Sequence, residues 1–169
     1  MEKAVIEVSH LCCKSGYRYL LNDVSWNVHA GERWVVFGMN GSGKTTLLSI
    51  IDGFKHHTSG DIRLFGEPLS DDNILKVRKR IGWVSSAFFD QHYTREAALD
   101  IVLSATSGTL GLDSSITLAD RRLAKELLAA LNLADRASYT FDMLSKGERQ
   151  NVLIARALFS KPDILVLDE

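Results

Sequence analysis

Apolar and polar residues alternate along two stretches near the start of the chain. The first is AVIEVSHLCC, residues 4–13, and the second is VSWNVH, in which Val24, Trp26 and Val28 share one face. A period of two is typical of β-strands with one face in solvent. The triplet Ala30-Gly31-Glu32 predicts a turn after the second strand. The chain is therefore expected to begin with antiparallel strands.

Two later stretches are apolar without interruption. They are Trp34–Phe37, and Ile164–Leu167 just before Asp168 and Glu169. Such runs predict parallel strands that are covered on both faces. Shorter runs, 62–64 and 81–84, predict two further strands.

Between these strands the period changes to that of helices. The segment TTLLSIIDGF predicts a helix that ends at Gly53, and three more helices are predicted by EAALDIVLSA, ADRRLAKELLAALNL and KGERQNVLIARALF. This order predicts an α/β fold, a P-loop core with N-terminal antiparallel strands and an inserted helical subdomain. We expect residues 1–86 and 161–169 to form the core and residues 87–160 the helical subdomain, within a single domain.

Composition limits the classes of function. The chain has 169 residues, 46% of them hydrophobic and 24% charged, with a formal net charge of −1. This balance is that of a globular domain, and it does not favour a nucleic-acid partner. No apolar run is long enough to cross a bilayer and no signal peptide is evident, so a cytoplasmic protein is expected. The neighbours Cys12 and Cys13 lack metal-ligand spacing and are interpreted as packing residues.

A glycine-rich loop fits the phosphate-binding pattern G-x-x-x-x-G-K-[ST] at every fixed position. Its residues are Gly38, Met39, Asn40, Gly41, Ser42, Gly43, Lys44 and Thr45. Glycines let backbone N–H groups turn toward phosphate oxygens, and the following helix adds the positive end of its dipole. Lys44 would neutralise charge on the β- and γ-phosphates, and the Thr45 hydroxyl would ligate Mg²⁺. A bare helix-capping turn would not need Lys-Thr after the third glycine.

The two acids that follow the last strand suit the same chemistry. A P-loop enzyme needs a second strand that ends in a carboxylate to hold Mg²⁺ through its hydration shell, and Asp168 meets that need. Glu169 would then orient and deprotonate an attacking water. The alternative is a strand end whose acids face solvent.

The segment LSKGERQ precedes the last predicted helix. Ser145 and Glu148 have the S-x-x-E spacing of a capping box, which predicts that the helix begins here. A helix start can also bind an anion, with Ser145 and Gly147 meeting a phosphate. Local chemistry alone favours the plain cap.

Four segments together resemble the nucleotide-binding subunit of ATP-binding cassette (ABC) transporters. They are LLNDVSWNVHAGERW, GMNGSGKTT (Gly38–Thr46), SKGERQNVLIARAL and ILVLDE. The resemblance implies ATP and Mg²⁺ as ligands, with Thr46 part of the nucleotide loop. It also implies that the signature of one subunit closes over the γ-phosphate held by a second, so Ser145 and Gly147 would contact nucleotide in trans.

The resemblance further implies partners and a location. Two subunits, identical or different, would sandwich two ATP molecules and would act on separate transmembrane permease chains. The protein would be peripheral on the cytoplasmic face of the cell membrane.

The signature of this chain departs from the family pattern LSGGQ. It reads LSKGE, so that Lys146 replaces a glycine and Glu148 replaces a glutamine. A carboxylate that faced a γ-phosphate would be repelled, which favours Glu148 turning back onto the helix cap with Lys146 offsetting charge.

Two other family positions are also altered. The glutamine expected after the strand at 81–84 is Ser86, which is too short for the same role in metal binding, and Gln91 is the alternative. The aromatic residue that stacks on adenine is expected at Ser15. Tyr17 is the nearby candidate, although Tyr17 and Tyr19 could equally pack on the strand.

The predicted function is ATP binding and hydrolysis that drives dimerisation and powers a transporter. The alternatives are a soluble cassette protein of translation or DNA repair and a regulatory nucleotide binder that does not hydrolyse ATP. Since the family continues past the position of Glu169 with a D-loop and a switch histidine, the chain is expected to be part of a longer cassette, with the C-terminal part of the core missing.

Overall fold

The computed structural model of the protein describes residues 4–93 and 95–168. Contacts divide the chain into two compact units, Met1–Val77 and Arg78–Glu169. The boundary between the two units lies within residues 1–86, which are predicted to belong to the core. The grouping of residues 161–169 with residues 1–86, apart from 87–160, stays a prediction.

The first unit is built on an antiparallel sheet. Its strands are β1 (Ala4–Ser15), β2 (Arg18–His29), β3 (Ser59–Leu64) and β4 (Glu67–Pro68), in the order β2-β1-β3-β4. Helix α1 (Lys44–Ile51) follows the glycine-rich loop, and α2 (Ile74–Arg78) closes the unit. The predicted antiparallel strands at the start of the chain are confirmed.

A bulge in β1 keeps its apolar residues on the buried face. Ile6 and Val8 are buried, and so are Leu11 and Cys13, although three positions separate Val8 from Leu11. Because strand side chains alternate, an extra residue is needed to restore the phase. It is accommodated at His10, which has a φ of 51°, and the register with β2 shifts between Val8 and Leu11.

The predicted strand Trp34–Phe37 is not formed. Residues 32–39 lie in neither helix nor strand, and the side chains of Val35 and Phe37 are 72% and 89% exposed. Trp34 packs edge to face on Trp26, with ring centroids 5.6 Å apart. Burial of an uninterrupted apolar run requires sheet neighbours and cover on both faces. Within this unit the four strands pair with one another instead.

The second unit combines a parallel strand pair with helices. Its elements in chain order are β5 (Ile81–Ser85), α3 (Ser86–Phe89), α4 (Ala98–Leu103), α5 (Leu118–Ala130), α6 (Lys146–Phe159) and β6 (Ile164–Asp168). Helix α6 packs against α4, α5 and β5. A Cβ at Gly82 would lie 2.6 Å from the Ala157 carbonyl oxygen, so this glycine permits the close approach of α6. The predicted helices are confirmed, and no helix of the described ranges has the length and apolarity to cross a membrane.

Strand β6 is parallel to β5, as its sequence predicts, but it is not buried on both faces. Every residue of β5 is buried, whereas Leu165 and Leu167 of β6 are 50% and 70% exposed. In the described two-stranded sheet, β6 pairs with β5 alone. The prediction of complete burial is therefore wrong for this strand.

Candidate functional site

The glycine-rich loop adopts a backbone conformation that favours glycine. Gly41 and Gly43 have φ angles of 80° and 98°. A Cβ at Gly43 would lie 2.6 Å from the Leu20 carbonyl oxygen, whereas one at Gly41 would meet nothing within 4 Å. The amide of Ser42 donates to the Met39 carbonyl at 3.0 Å, which closes a tight turn. The loop is thus fixed by backbone conformation and by close packing on β2.

Lys44 is folded back onto this loop. Its Nζ atom donates to the carbonyl oxygens of Gly38 at 2.7 Å and Met39 at 3.2 Å. A lysine ammonium has three N–H donors, so these bonds leave one for a phosphate oxygen. The positive charge is held beside the loop, and its contact with the β- and γ-phosphates stays a prediction.

The start of α1 adds further positive potential. Leu47 donates to Gly43 at 2.8 Å, and the amides before it belong to the first turn, which has no acceptors inside the helix. That turn contains no acidic residue. Thr45 is exposed there and Thr46 is half-buried. Since the first-turn amides, Lys44 and the exposed Thr45 belong to one loop and the helix that follows it, these residues fit a nucleotide with Mg²⁺.

Tyr17, the predicted adenine-stacking residue, lies in the turn between β1 and β2. It is fully exposed, whereas Tyr19 is half-exposed and its ring lies under the Lys14 ammonium, with Nζ 4.4 Å from the centroid. Tyr17 therefore does not pack on the strand, and its contact with adenine stays a prediction.

Asp168 lies at the end of β6, opposite Ser85 of β5. The two residues are paired in the strand register, and the Ser85 hydroxyl donates to Asp168 Oδ2 at 3.0 Å. Ser85 is fully buried, so it orients the carboxylate from inside the unit. We did not predict this residue, because the pairing of residues 83 positions apart is not evident from either strand alone. Glu169 lies outside the described residues.

Ser86 and Gln91, the two positions considered for the glutamine that takes part in metal binding in the family, follow Ser85 in the chain. Ser86 is the first residue of α3, and Gln91 is exposed in the turn after that helix. The assignment of the metal-binding role to Ser86 or to Gln91 stays a prediction.

The signature segment forms the predicted capping box. The Ser145 hydroxyl accepts a hydrogen bond from the Glu148 amide at 3.3 Å, and Glu148 Oε2 accepts one from the Ser145 amide at 2.8 Å. Glu148 is turned back onto the helix start, as predicted. The cation that touches it is Arg136, whose Nε lies 3.2 Å from Oε1, whereas Lys146 is exposed at the first helical position.

Gly147 has no packing role within the described chain. It is exposed in the first turn of α6, its φ is not positive, and a Cβ built on it meets nothing within 4 Å. Glycine at such a helix position costs about 0.5–1 kcal/mol relative to alanine. A glycine that neither fold nor packing requires fits the close approach of another molecule.

A family profile described as "ABC transporter" matches residues 21–169, most of the chain. The chain belongs to the ABC transporter family. The match includes the phosphate loop, the signature segment and the strand that ends at Asp168. All three motifs therefore lie within the region that matches the ABC family.

Curated ABC relatives align with almost the whole chain. It is 34% identical over 166 residues to an uncharacterised ABC transporter ATP-binding protein, YlmA, of Bacillus subtilis, covering 98% of this chain and 63% of the relative. It is 33% identical over 168 residues to the energy-coupling factor transporter ATP-binding protein EcfA1 of Streptococcus sanguinis, covering 98% of this chain and 59% of that protein. The chain thus spans less than two thirds of the length of these relatives.

Solved ABC cassettes share the fold. The dimeric structure of MJ0796, a bacterial ABC transporter cassette, superposes with a TM-score of 0.81 at 29% identity, covering 97% of this chain and 73% of the other. A second structure of MJ0796 is a dimer in a post-hydrolysis state with ADP and Pi bound. The cbiO1 protein of Clostridium perfringens, part of the transporter complex cbiONQ, gives a TM-score of 0.72 at 25% identity, covering 99% of this chain and 66% of cbiO1. The fold is that of an ABC cassette, of which the chain spans part.

The Glu148 carboxylate of the ABC signature is stabilised in its charged form. Hydrogen bonds with the Ser145 side chain and backbone amide, followed by that with Arg136, lower the pKa of Glu148 below its ordinary value of 4.5. A lowered pKa in the folded protein means that these bonds stabilise it fully above the ordinary pKa. That stabilisation is lost as the pH falls through the lowered pKa.

Replacing Glu148 with glutamine is expected to make stability less sensitive to acid. Glutamine preserves the capping box but does not titrate. The free energy of unfolding, measured with urea from about pH 6 down to about pH 3, should therefore fall less in the variant than in the parent protein. Glu67→Gln, at an exposed position of β4, is the control. Equal slopes for Glu148→Gln and the parent would contradict the expectation.

Proposed function

We propose that the protein is the ATP-binding and ATP-hydrolysing subunit of an ABC transporter, and that ATP drives its dimerisation. The phosphate loop carries this proposal, because Lys44 and the start of α1 direct positive charge at one exposed turn. Such a site is built for the β- and γ-phosphates of a nucleotide. Family membership makes ATP the expected nucleotide.

The residues have separate roles in the proposed reaction. Lys44 and the loop amides would hold the phosphates in line for attack by water. Thr45 and Asp168 would hold Mg²⁺, which neutralises charge on the phosphates when it is bound. The buried Ser85 hydroxyl would keep the Asp168 carboxylate oriented. Glu169 would orient the attacking water and accept its proton. Tyr17 would stack on adenine, and Gln91 is the proposed further metal contact.

The proposed dimer places the signature of one subunit against the nucleotide of the other. Ser145 and Gly147 would then contact phosphate in trans. The exposed Ser145 and the open surface at Gly147 support this role. The dimeric cassette of MJ0796 shows that a relative of similar fold adopts a two-subunit arrangement.

The proposed partners of the dimer are transmembrane permease chains. The relative EcfA1 is an energy-coupling factor transporter ATP-binding protein, and cbiO1 is part of the transporter complex cbiONQ. By family membership, the protein would be peripheral on the inner face of the cell membrane, held there by the permease. The transported substrate would be chosen by those chains.

Replacing Gly147 with leucine is expected to abolish dimerisation without loss of fold. The side chain would fill the space proposed for nucleotide, while the helix would gain about 0.5–1 kcal/mol from the loss of glycine. The test uses full-length protein carrying Glu169→Gln, which should retain ATP because it lacks the carboxylate proposed to orient the attacking water. Light scattering with and without MgATP should show an ATP-dependent dimer that Gly147→Leu removes.

The matched control is Gly111→Leu, since Gly111 also has open space around its Cα and no positive φ. This variant should dimerise like its parent. Absence of an ATP-dependent dimer in the Glu169→Gln protein itself would count against the proposed function. Normal dimerisation of the Gly147→Leu variant would remove Gly147 from the interface.

A further inference from the structure

The signature of this chain carries an acid where the family pattern has glutamine. Glu148 is the third residue of α6, three positions after Ser145 and one after Gly147, the two proposed phosphate contacts. An uncompensated carboxylate there would repel a nucleotide phosphate. Some group has to cancel or redirect its charge.

Both oxygen atoms of Glu148 have hydrogen-bond partners. Oε2 accepts from the Ser145 amide at 2.8 Å, and Oε1 accepts from Arg136 Nε at 3.2 Å. The first bond keeps the carboxylate on the helix start, and the second supplies the opposite charge. The side chain of Arg136 is 42% exposed and that of Glu148 is 31% exposed, so solvent screens their attraction only in part.

Arg136 is itself held in place by the segment before the signature. It ends a 3-10 turn, Ala134–Arg136, and its amide donates to the carbonyl of the buried Leu133 at 3.0 Å. Its guanidinium lies over the Tyr139 ring, 4.8 Å from the centroid. Since the backbone of Arg136 is held by this turn and its planar group lies on the Tyr139 ring, the side chain loses less freedom on binding Glu148 than an unsupported arginine would.

We propose that Arg136 is a positioning residue for nucleotide recognition by the signature. It fixes Glu148 against the helix start and cancels its charge, so that Ser145 and Gly147 meet phosphate without a repelling carboxylate. This inference rests on the proposed function, because it assumes that the signature contacts ATP in trans. Lys146, which the sequence suggests for the compensating charge, is exposed and adds to the positive potential instead.

The test compares Arg136→Gln in two backgrounds, with Glu148 and with Glu148→Gln. The measured quantity is the MgATP concentration that gives half-maximal dimer in full-length protein carrying Glu169→Gln. With Glu148 present, Arg136→Gln is expected to raise this concentration about five- to tenfold, because a charge is left unpaired near phosphate. With Glu148→Gln, the same substitution should change it by less than about twofold, since no charge remains to be cancelled.

Two further variants separate charge from folding. Arg136→Lys keeps the positive charge, so it should restore most of the ATP response if Arg136→Gln has lost it. Arg122→Gln removes an arginine of α5 that is likewise paired with a glutamate, Glu126 at 3.0 Å, but on an exposed face, and it should leave the response unchanged. Monomer affinity for MgATP, which depends on the phosphate loop, should be the same in all variants.

An equal effect of Arg136→Gln in both backgrounds would overturn the proposal, because it would show that Arg136 acts on folding or packing and not through Glu148. Failure of the parent protein to form any ATP-dependent dimer would instead overturn the proposed function, and this inference with it. A normal parent dimer with no response to Arg136→Gln would overturn the inference alone.

Discussion

Replacing Lys44 with alanine is expected to weaken MgATP binding and to abolish ATP turnover. The substitution removes the ammonium that is bonded to the Gly38 and Met39 carbonyls beside the loop. A hydrogen bond to a charged group is worth about 1.5–3 kcal/mol, which corresponds to roughly 10- to 150-fold in affinity. Calorimetric titration would measure binding, and phosphate release from the full-length protein would measure turnover.

The control for this experiment is Lys76→Ala, which removes an exposed lysine of α2 outside the loop. It should bind and hydrolyse ATP like the parent protein. Equal low turnover in the parent and Lys44→Ala proteins, with binding retained by the parent, would contradict the proposed ATPase. That result would support the regulatory nucleotide binder instead.

The second large effect is expected from replacing Gly43 with alanine. A positive φ costs an alanine about 1–2 kcal/mol, and the new Cβ would also lie 2.6 Å from the Leu20 carbonyl oxygen. A backbone atom cannot move aside as a flexible side chain does, so β2 or the loop must shift, at a further cost of about 1–3 kcal/mol. The free energy of unfolding should therefore fall by roughly 3 kcal/mol, with a parallel loss of MgATP affinity.

Gly41→Ala provides a matched comparison in the same loop. Gly41 also has a positive φ, of 80°, but a Cβ there meets nothing within 4 Å. The free energy of unfolding of the Gly41→Ala variant should fall only by the conformational cost of about 1–2 kcal/mol. Urea unfolding followed by circular dichroism distinguishes the two variants. Equal losses would show that contact with β2 does not constrain the loop.

Local features of this protein were predictable from the sequence because their causes are local. The capping box joins Ser145 and Glu148 through atoms three residues apart, and the phosphate loop depends on the conformations of its own glycines. The alternating pattern of β1 and β2 reflects a sheet with one solvated face. Most of these interactions join residues that are close in the chain; the packing of Gly43 on Leu20 of β2 is an exception.

Burial of the apolar runs was less predictable, since it depends on what covers them. The runs Trp34–Phe37 and Ile164–Leu167 have similar composition, yet only the second forms a strand, and both expose apolar side chains. An apolar run favours burial, but it becomes buried only where neighbouring strands pair with it and helices pack on it. Strand β5 is fully buried because α6 packs against it, with Gly82 permitting the approach.

By itself, the sequence determined the phosphate loop, the capping box of α6, the antiparallel strands and the family to which the chain belongs. The tertiary structure alone decided which residues distant in the chain bind the carboxylates of Asp168 and Glu148. Ser85 meets Asp168 through a parallel strand register, and Arg136 meets Glu148 because the 3-10 turn returns to the start of α6. The physical reason is that the residue type fixes the charge and the hydrogen-bonding capacity of a side chain. The path of the backbone decides which other residue comes close enough to be its partner.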